Sequence, residues 1–217
     1  MDKTAHHVVA LIMSPGISVK KGQNLRSLDD DIYIEVEHLL SRAPTMDDLA
    51  KYAHCCSMLE DAVARAYRRM ALLTVEKELK PLLLHIAYDG FKHSRVLREI
   101  AKGLSAKVKI DFEACLKQMG EAWKEIVESA EAMASRKERI RTEELLTIID
   151  RMEGIEGFTG EEYLMFINSR LLQVVSYIDK RDLELYKAML ELIAEDEERH
   201  RLILRRIKEF LSIKRSQ

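Results

Sequence analysis

"IAEDEERHRLILRRI", residues 193–207, sets a glutamate and a histidine among positions where a buried helix face would carry leucines. Leu190, Ile193, Glu197, His200, Leu204, Ile207 and Leu211 follow one another at three- and four-residue steps. That spacing places all of them on one side of an α-helix, the side that meets a core. A second stretch, "IAYDGFKHSRVLREI" at 86–100, repeats the first. At an offset of 107 the two agree at seven of fifteen positions: Ile, Ala, Asp, His, Leu, Arg and Ile. Duplication is the simplest cause. The earlier copy keeps Asp89 and His93 but has Gly90 where the later one has Glu197.

The chain around these stretches is helical in composition. Among 217 residues there are eight glycines, three prolines and few aromatics, so long helices are favoured over strands. A third of the residues are charged, yet the net charge is only −2, which leaves no broad basic field for nucleic acid or anionic lipid. No nucleic-acid partner and no membrane contact are expected. The longest apolar run near the start, "VVALIM", is too short for a span and lacks the flanks of a signal peptide. Three cysteines, Cys55, Cys56 and Cys115, make a poor disulfide framework, so a reducing cytoplasm is expected.

Helix punctuation divides the chain. Residues 1–45 read as an N-terminal segment with a short helix over 28–42, packed on a helical body at 46–217. Thr45-Met-Asp-Asp48 reads as an N-cap before a helix to about Glu76. Pro81 belongs in the first turn of the next helix, which runs to about Lys102 and stops at Gly103. An amphipathic crossover follows within 105–158, and "TEELLTIIDRM" forms a shorter helix with "EGIEGFTG" as the loop after it. Thr159-Gly-Glu-Glu162 matches a capping box, starting a helix to about Ile178. "DKRD" is the next turn, and the last helix runs from about Asp182 to Lys214. Two antiparallel hairpins, 46–104 and 159–214, each preceded by a short helix and joined by a helical crossover, describe an all-α four-helix bundle.

The first long helix repeats the anomaly. Leu49, Ala53, Cys56, Glu60, Val63, Tyr67 and Ala71 form its stripe, with Glu60 where a leucine belongs. A buried carboxylate costs several kcal/mol unless paired or bound to a metal. Glu60, His93, Glu197 and His200 on three inner faces can offset that cost together by coordinating a cation. Carboxylate oxygens with imidazole nitrogens suit iron or manganese. The competing readings are local: a Glu197–His200 ion pair, a satisfied core His93, and Glu60 paired with Arg65 or Arg98.

"DEERH" at 196–200 resembles the Asp-Glu-x-Arg-His signature of di-iron carboxylate proteins of the ferritin-like superfamily, rubrerythrin-like proteins among them. In that family each hairpin supplies one glutamate from its first helix and a Glu-x-x-His from its second. Carried over position by position, the resemblance implies Glu60, His93, Glu197 and His200 as metal ligands. It implies Asp89 and Asp196 as outer carboxylates that orient the imidazoles, with Tyr67 beside them. For the third helix, the offset that pairs Tyr67 with Tyr177 sets Arg170 opposite Glu60, and arginine is no ligand. Hairpin symmetry points to Glu162 instead, although a capping-box glutamate needs no metal.

Gly90 departs from the family pattern and reads as an open position. Three outcomes follow from it: one metal, two metals with water or substrate at the vacated place, or a scaffold that has lost its metal. The functional expectation is an iron- or manganese-binding protein, as an oxygen- or peroxide-using oxidoreductase fed by an external electron donor, and a homo-oligomer such as a dimer. The alternative is a metal-free helical module for assembly or partner binding.

Overall fold

The structure, a computed structural model, describes residues 45–106, 110–160 and 180–215, together with 164 and 171. The expected helix over 28–42, the rest of the N-terminal segment and most of the helix expected from Thr159 to about Ile178, Glu162 included, lie outside the described residues. Within them the chain is all-α, with no strand. Helix α1 (Met46–Leu73) opens at the expected cap: the Asp48 amide donates to the Thr45 hydroxyl at 3.2 Å, and the Thr45 amide donates to the Asp48 carboxylate at 2.9 Å. The chain then turns through extended Thr74 and a 3-10 turn (Lys77–Leu79) into α2 (Lys80–Leu104), with Pro81 in its first turn.

Asp111 caps α3 (Phe112–Ser135), which breaks at Gly120, where φ is +80° and a side chain would be strained. Helix α4 (Thr142–Phe158) and helix α5 (Lys180–Arg215) complete the described elements. Three expectations are corrected here. "EGIEGFTG" is not a loop, because α4 runs through Phe158 and the turn at Thr159–Gly160 is of π type. Thr159 is not an N-cap either. Its backbone is helical and its hydroxyl donates back to the carbonyls of Ile155 (3.0 Å) and Glu156 (3.2 Å). Lys180 to Asp182, read as a turn, already belong to α5.

The two stripes read from the sequence are buried in full on α1 and α5, and on α2 the repeat buries Ile86, Gly90, His93, Leu97 and Ile100 at the same spacing. Ser94 donates to the Ser57 carbonyl at 2.8 Å and Gly90 lies against Ala64, so α1 and α2 run antiparallel. Helix α4 runs antiparallel to α5: Glu156 meets His200, and Asp150 meets Lys208 at 2.6 Å. Helix α2 meets α5 antiparallel through His93–Asp196 and Asp89–His200. At the far end the bend after α1 is tied to the start of α4 by a single bridge, Thr74 to Ile140. Buried Glu76 accepts from Thr142 at 2.6 Å and from Lys214, and these two donors hold its carboxyl below the usual range.

Helix α3 lies on the outer side of α1. Trp123, fully buried, donates its indole N–H to the Cys55 carbonyl at 3.2 Å. Cys55 and Cys115 form a disulfide between the two helices, and Cys56 remains a buried free thiol. That overturns the reading of the cysteines, and with it the argument for a reducing compartment. The bond closes a loop spanning 60 residues of sequence. Cys115→Ala is therefore expected to lower stability by about 2–4 kcal/mol. Urea unfolding under non-reducing conditions checks this, and a midpoint equal to that of the parent protein would refute it. No described helix is long and apolar enough to cross a membrane.

Candidate metal centre

Two groups of ligand-type side chains meet in the interior: Glu60, His93 and Glu197, and Glu156, Glu197 and His200. Within each group the nearest donor atoms all lie within 4.8 Å of one another. Glu197 belongs to both. Its Oε1 is 2.9 Å from His93 Nδ1, and its Oε2 is 3.5 Å from His200 Nδ1. Glu60 Oε2 stands 3.7 Å from His93 Nδ1, and Glu156 Oε2 stands 3.0 Å from His200 Nδ1. The two imidazole rings are 5.8 Å apart, centroid to centroid. The group is buried: Glu156, Glu197 and His200 are only 2%, 2% and 1% exposed.

The other ring nitrogens are held across the repeat. His93 Nε2 on α2 lies 2.9 Å from Asp196 Oδ2 on α5. His200 Nε2 on α5 lies 3.4 Å from Asp89 Oδ2 on α2. Each aspartate thus serves the histidine of the other copy, not the one four residues ahead on its own helix. This answers what the duplicated Asp-x-x-x-His does: it fixes both rings with Nδ1 facing inward.

The electrostatics of the metal-free cluster record the crowding. Burial, then the Glu60 and Glu156 charges, push Glu197 up to about 8. Burial alone would depress His93, but Glu197 and Glu60 outweigh it and raise the ring to about 9. Burial is likewise outweighed at His200 by Glu156 and Glu197, which raise it to about 10. Burial raises the Tyr67 hydroxyl well above its usual value, with help from Glu156, and the hydroxyl makes no hydrogen bond of normal geometry.

These residues fit a metal. His93 Nδ1 and Glu197 Oε1 are buried and face each other at 2.9 Å, yet neither is in a hydrogen bond. Two donors about 2.1 Å from one ion and at right angles lie about 3 Å apart. The His93–Glu197 and His200–Glu156 separations both match that spacing. Neither local pairing of Glu60 forms, because Arg65 bonds Asp61 and Glu131 while Arg98 approaches Asp61.

Of the sequence-derived candidates, Glu60, His93, Glu197 and His200 converge, with Asp89, Asp196 and Tyr67 around them. Glu156 was missed. It continues a stripe of Leu145, Ile149 and Met152, and is the buried carboxylate of α4. Gly90 needs correction: it is not an open position. A Cβ there would come within 3.0 Å of the Ala64 Cβ, so α1 packs closely against that place and leaves no vacancy. Gly160 works the same way beside the centre, where a Cβ would meet the Glu197 Cβ at 2.9 Å. Comparison with protein-family models, with curated proteins and with solved structures finds no match to this chain, so the reading of the site rests on its own geometry.

Proposed function

We propose that the chain is a ferritin-like protein with a two-metal, non-haem centre for iron or manganese, and that it carries out oxygen- or peroxide-dependent oxidation. One observation carries the reading: the two oxygens of Glu197 each face the inward nitrogen of a different histidine, in the buried interior. On this reading α1, α2, α4 and α5 are the bundle, and α3 is the helical crossover. Glu60 and Glu156 would serve as the glutamates of the first helices, His93 and His200 as the histidines of the second, and Glu197 as a carboxylate that both ions could share.

Iron or manganese in such a ligand set supplies Lewis-acid and one-electron redox chemistry. The chain's own contribution is to fix the donors. Asp196 and Asp89 orient the rings, and Gly160 lets α4 approach Glu197 closely. With one shared carboxylate instead of two, each ion would have three protein donors and keep sites for water or a small oxidant. Tyr67 would offer a buried hydroxyl beside Glu156. Electrons for turnover would come from a separate donor protein.

The test is metal content and oxidation together. Protein expressed with iron or manganese and then dialysed should retain about two ions per chain, and His93→Ala and His200→Ala should each retain about one. Ferrous-loaded protein should consume oxygen or peroxide faster than ferrous ion in buffer. Retention below about a tenth of an equivalent would end the metal reading in favour of a metal-free module.

A further inference from the structure

Between the two outer aspartates sits a single ammonium group. Lys92 Nζ is 2.8 Å from Asp89 Oδ1 and 2.7 Å from Asp196 Oδ2. The same Asp196 oxygen holds His93 Nε2, and the other oxygen of Asp89 faces His200 Nε2. A continuous chain of contacts therefore runs His93–Asp196–Lys92–Asp89–His200, from one ring to the other outside the centre. We propose that Lys92 is a positioning residue that couples the two halves of the metal site, so that one side chain sets the orientation of both imidazoles. This rests on the two-metal reading above.

The neighbours show why Lys92 is distinct. Its counterpart at the repeat offset of 107 is Arg199, the basic residue of "DEERH". Arg199 pairs with Asp196, on its own helix. His85 approaches only Asp89, at 3.5 Å. Among the described contacts, Lys92 alone spans both carboxylates. A carboxylate that orients a ligand imidazole also raises its basicity, and losing such a group costs about 10–100-fold in metal affinity. Without Lys92, Asp89 and Asp196 each lose a charge-assisted donor that fixes their rotamer. The Lys92 side chain is 51% exposed, so replacing it leaves no core cavity.

The experiment compares Lys92→Met, Lys92→Arg and Arg199→Met in two measurements. Manganese(II) titration of the full chain should show both ions weakened in Lys92→Met, by up to about 10-fold, the low end of what losing an aspartate itself would cost. Arg199→Met should weaken only the ion beside His93, and Lys92→Arg should bind like the parent protein. In metal-free protein, imidazole nitrogen NMR should show both the His93 and His200 rings displaced in Lys92→Met, and only the His93 ring in Arg199→Met. If Lys92→Met leaves either ring unmoved, or weakens one ion and spares the other, Lys92 does not couple the halves. If the parent protein binds no manganese, the two-metal reading fails, and the NMR comparison still decides the coupling.

Discussion

Glu197→Gln should remove both ions at once and leave the metal-free fold as stable as before, or more so. Glutamine keeps the shape of the side chain but cannot carry the charge that, on the two-metal reading, would be shared between two cations. The loss per ion should exceed the ~10–100-fold that outer carboxylates control, so dialysed protein should retain essentially none. The metal-free protein responds differently because Glu197 already holds a proton up to about 8, under the burden of burial and of Glu60 and Glu156. A neutral amide in its place resembles the form that the fold already prefers, and buried charges often stabilise less than neutral replacements of equal shape. Metal analysis and thermal unfolding in chelator give both halves of the result. Two ions retained in Glu197→Gln would rule out a shared carboxylate. So would the loss of one ion alone, since that is the pattern expected of His93→Ala and His200→Ala.

What the sequence disclosed, and what it hid, follow from one physical distinction. The stripes on α1, α2 and α5 were legible because burial imposes a period of 3.6 on any long helix. A glutamate or histidine in such a stripe stands out by type, whatever its neighbours are. Glu156 obeys the same rule, four residues after Met152, seven after Ile149 and eleven after Leu145, but Gly154, Gly157 and Gly160 surround it. Glycine lowers helix propensity by ~1 kcal/mol, and three in seven residues read as a loop. Tertiary packing overrides that cost: Gly160 lies where the Glu197 side chain leaves no room for a Cβ. The Thr159-x-x-Glu162 pattern misled for the same reason, because a threonine inside a helix can bond backward to carbonyls as well as forward to amides.

Gly90 shows the opposite error. A glycine replacing an expected ligand suggests a vacancy, but whether the vacancy exists depends on how closely the next helix approaches. Ala64 on α1 supplies the answer, and its position across the interface has no local signature at residue 90. The Cys55–Cys115 bond was hidden likewise, since it depends on α3 packing against α1 and not on cysteine spacing. The cross-paired aspartates lie between these cases. The duplicated Asp-x-x-x-His announced that each aspartate matters, and only the antiparallel contact of α2 with α5 reveals that it serves the other copy's ring.

The metal-free protein should lose stability steadily from mildly acidic to alkaline pH, and metal should abolish that loss. In the fold His93 and His200 keep their protons up to about 9 and about 10, against 6.5 in the unfolded chain. Below pH 6.5 both states are protonated and the attraction of the rings to Glu60 and Glu156 counts in full. Above it the folded state alone retains protons, so stability falls as pH climbs toward 9 and 10. Glu197 acts in the same direction, since its folded value of about 8 lies above the 4.5 of the unfolded chain, and its contribution is given up between those limits. Glu156 opposes them only at the acid end. Burial works against its charge, but His200 and Glu197 outweigh burial and hold it below 4.5, so its share is lost as pH drops through that region. A bound cation takes the place of those protons, so its stabilising effect should grow with pH. Urea unfolding at pH 6, 7.5 and 9, with chelator and with manganese, measures the two curves. Metal-free stability that rises across this window would show that the histidines are not held between carboxylates as described.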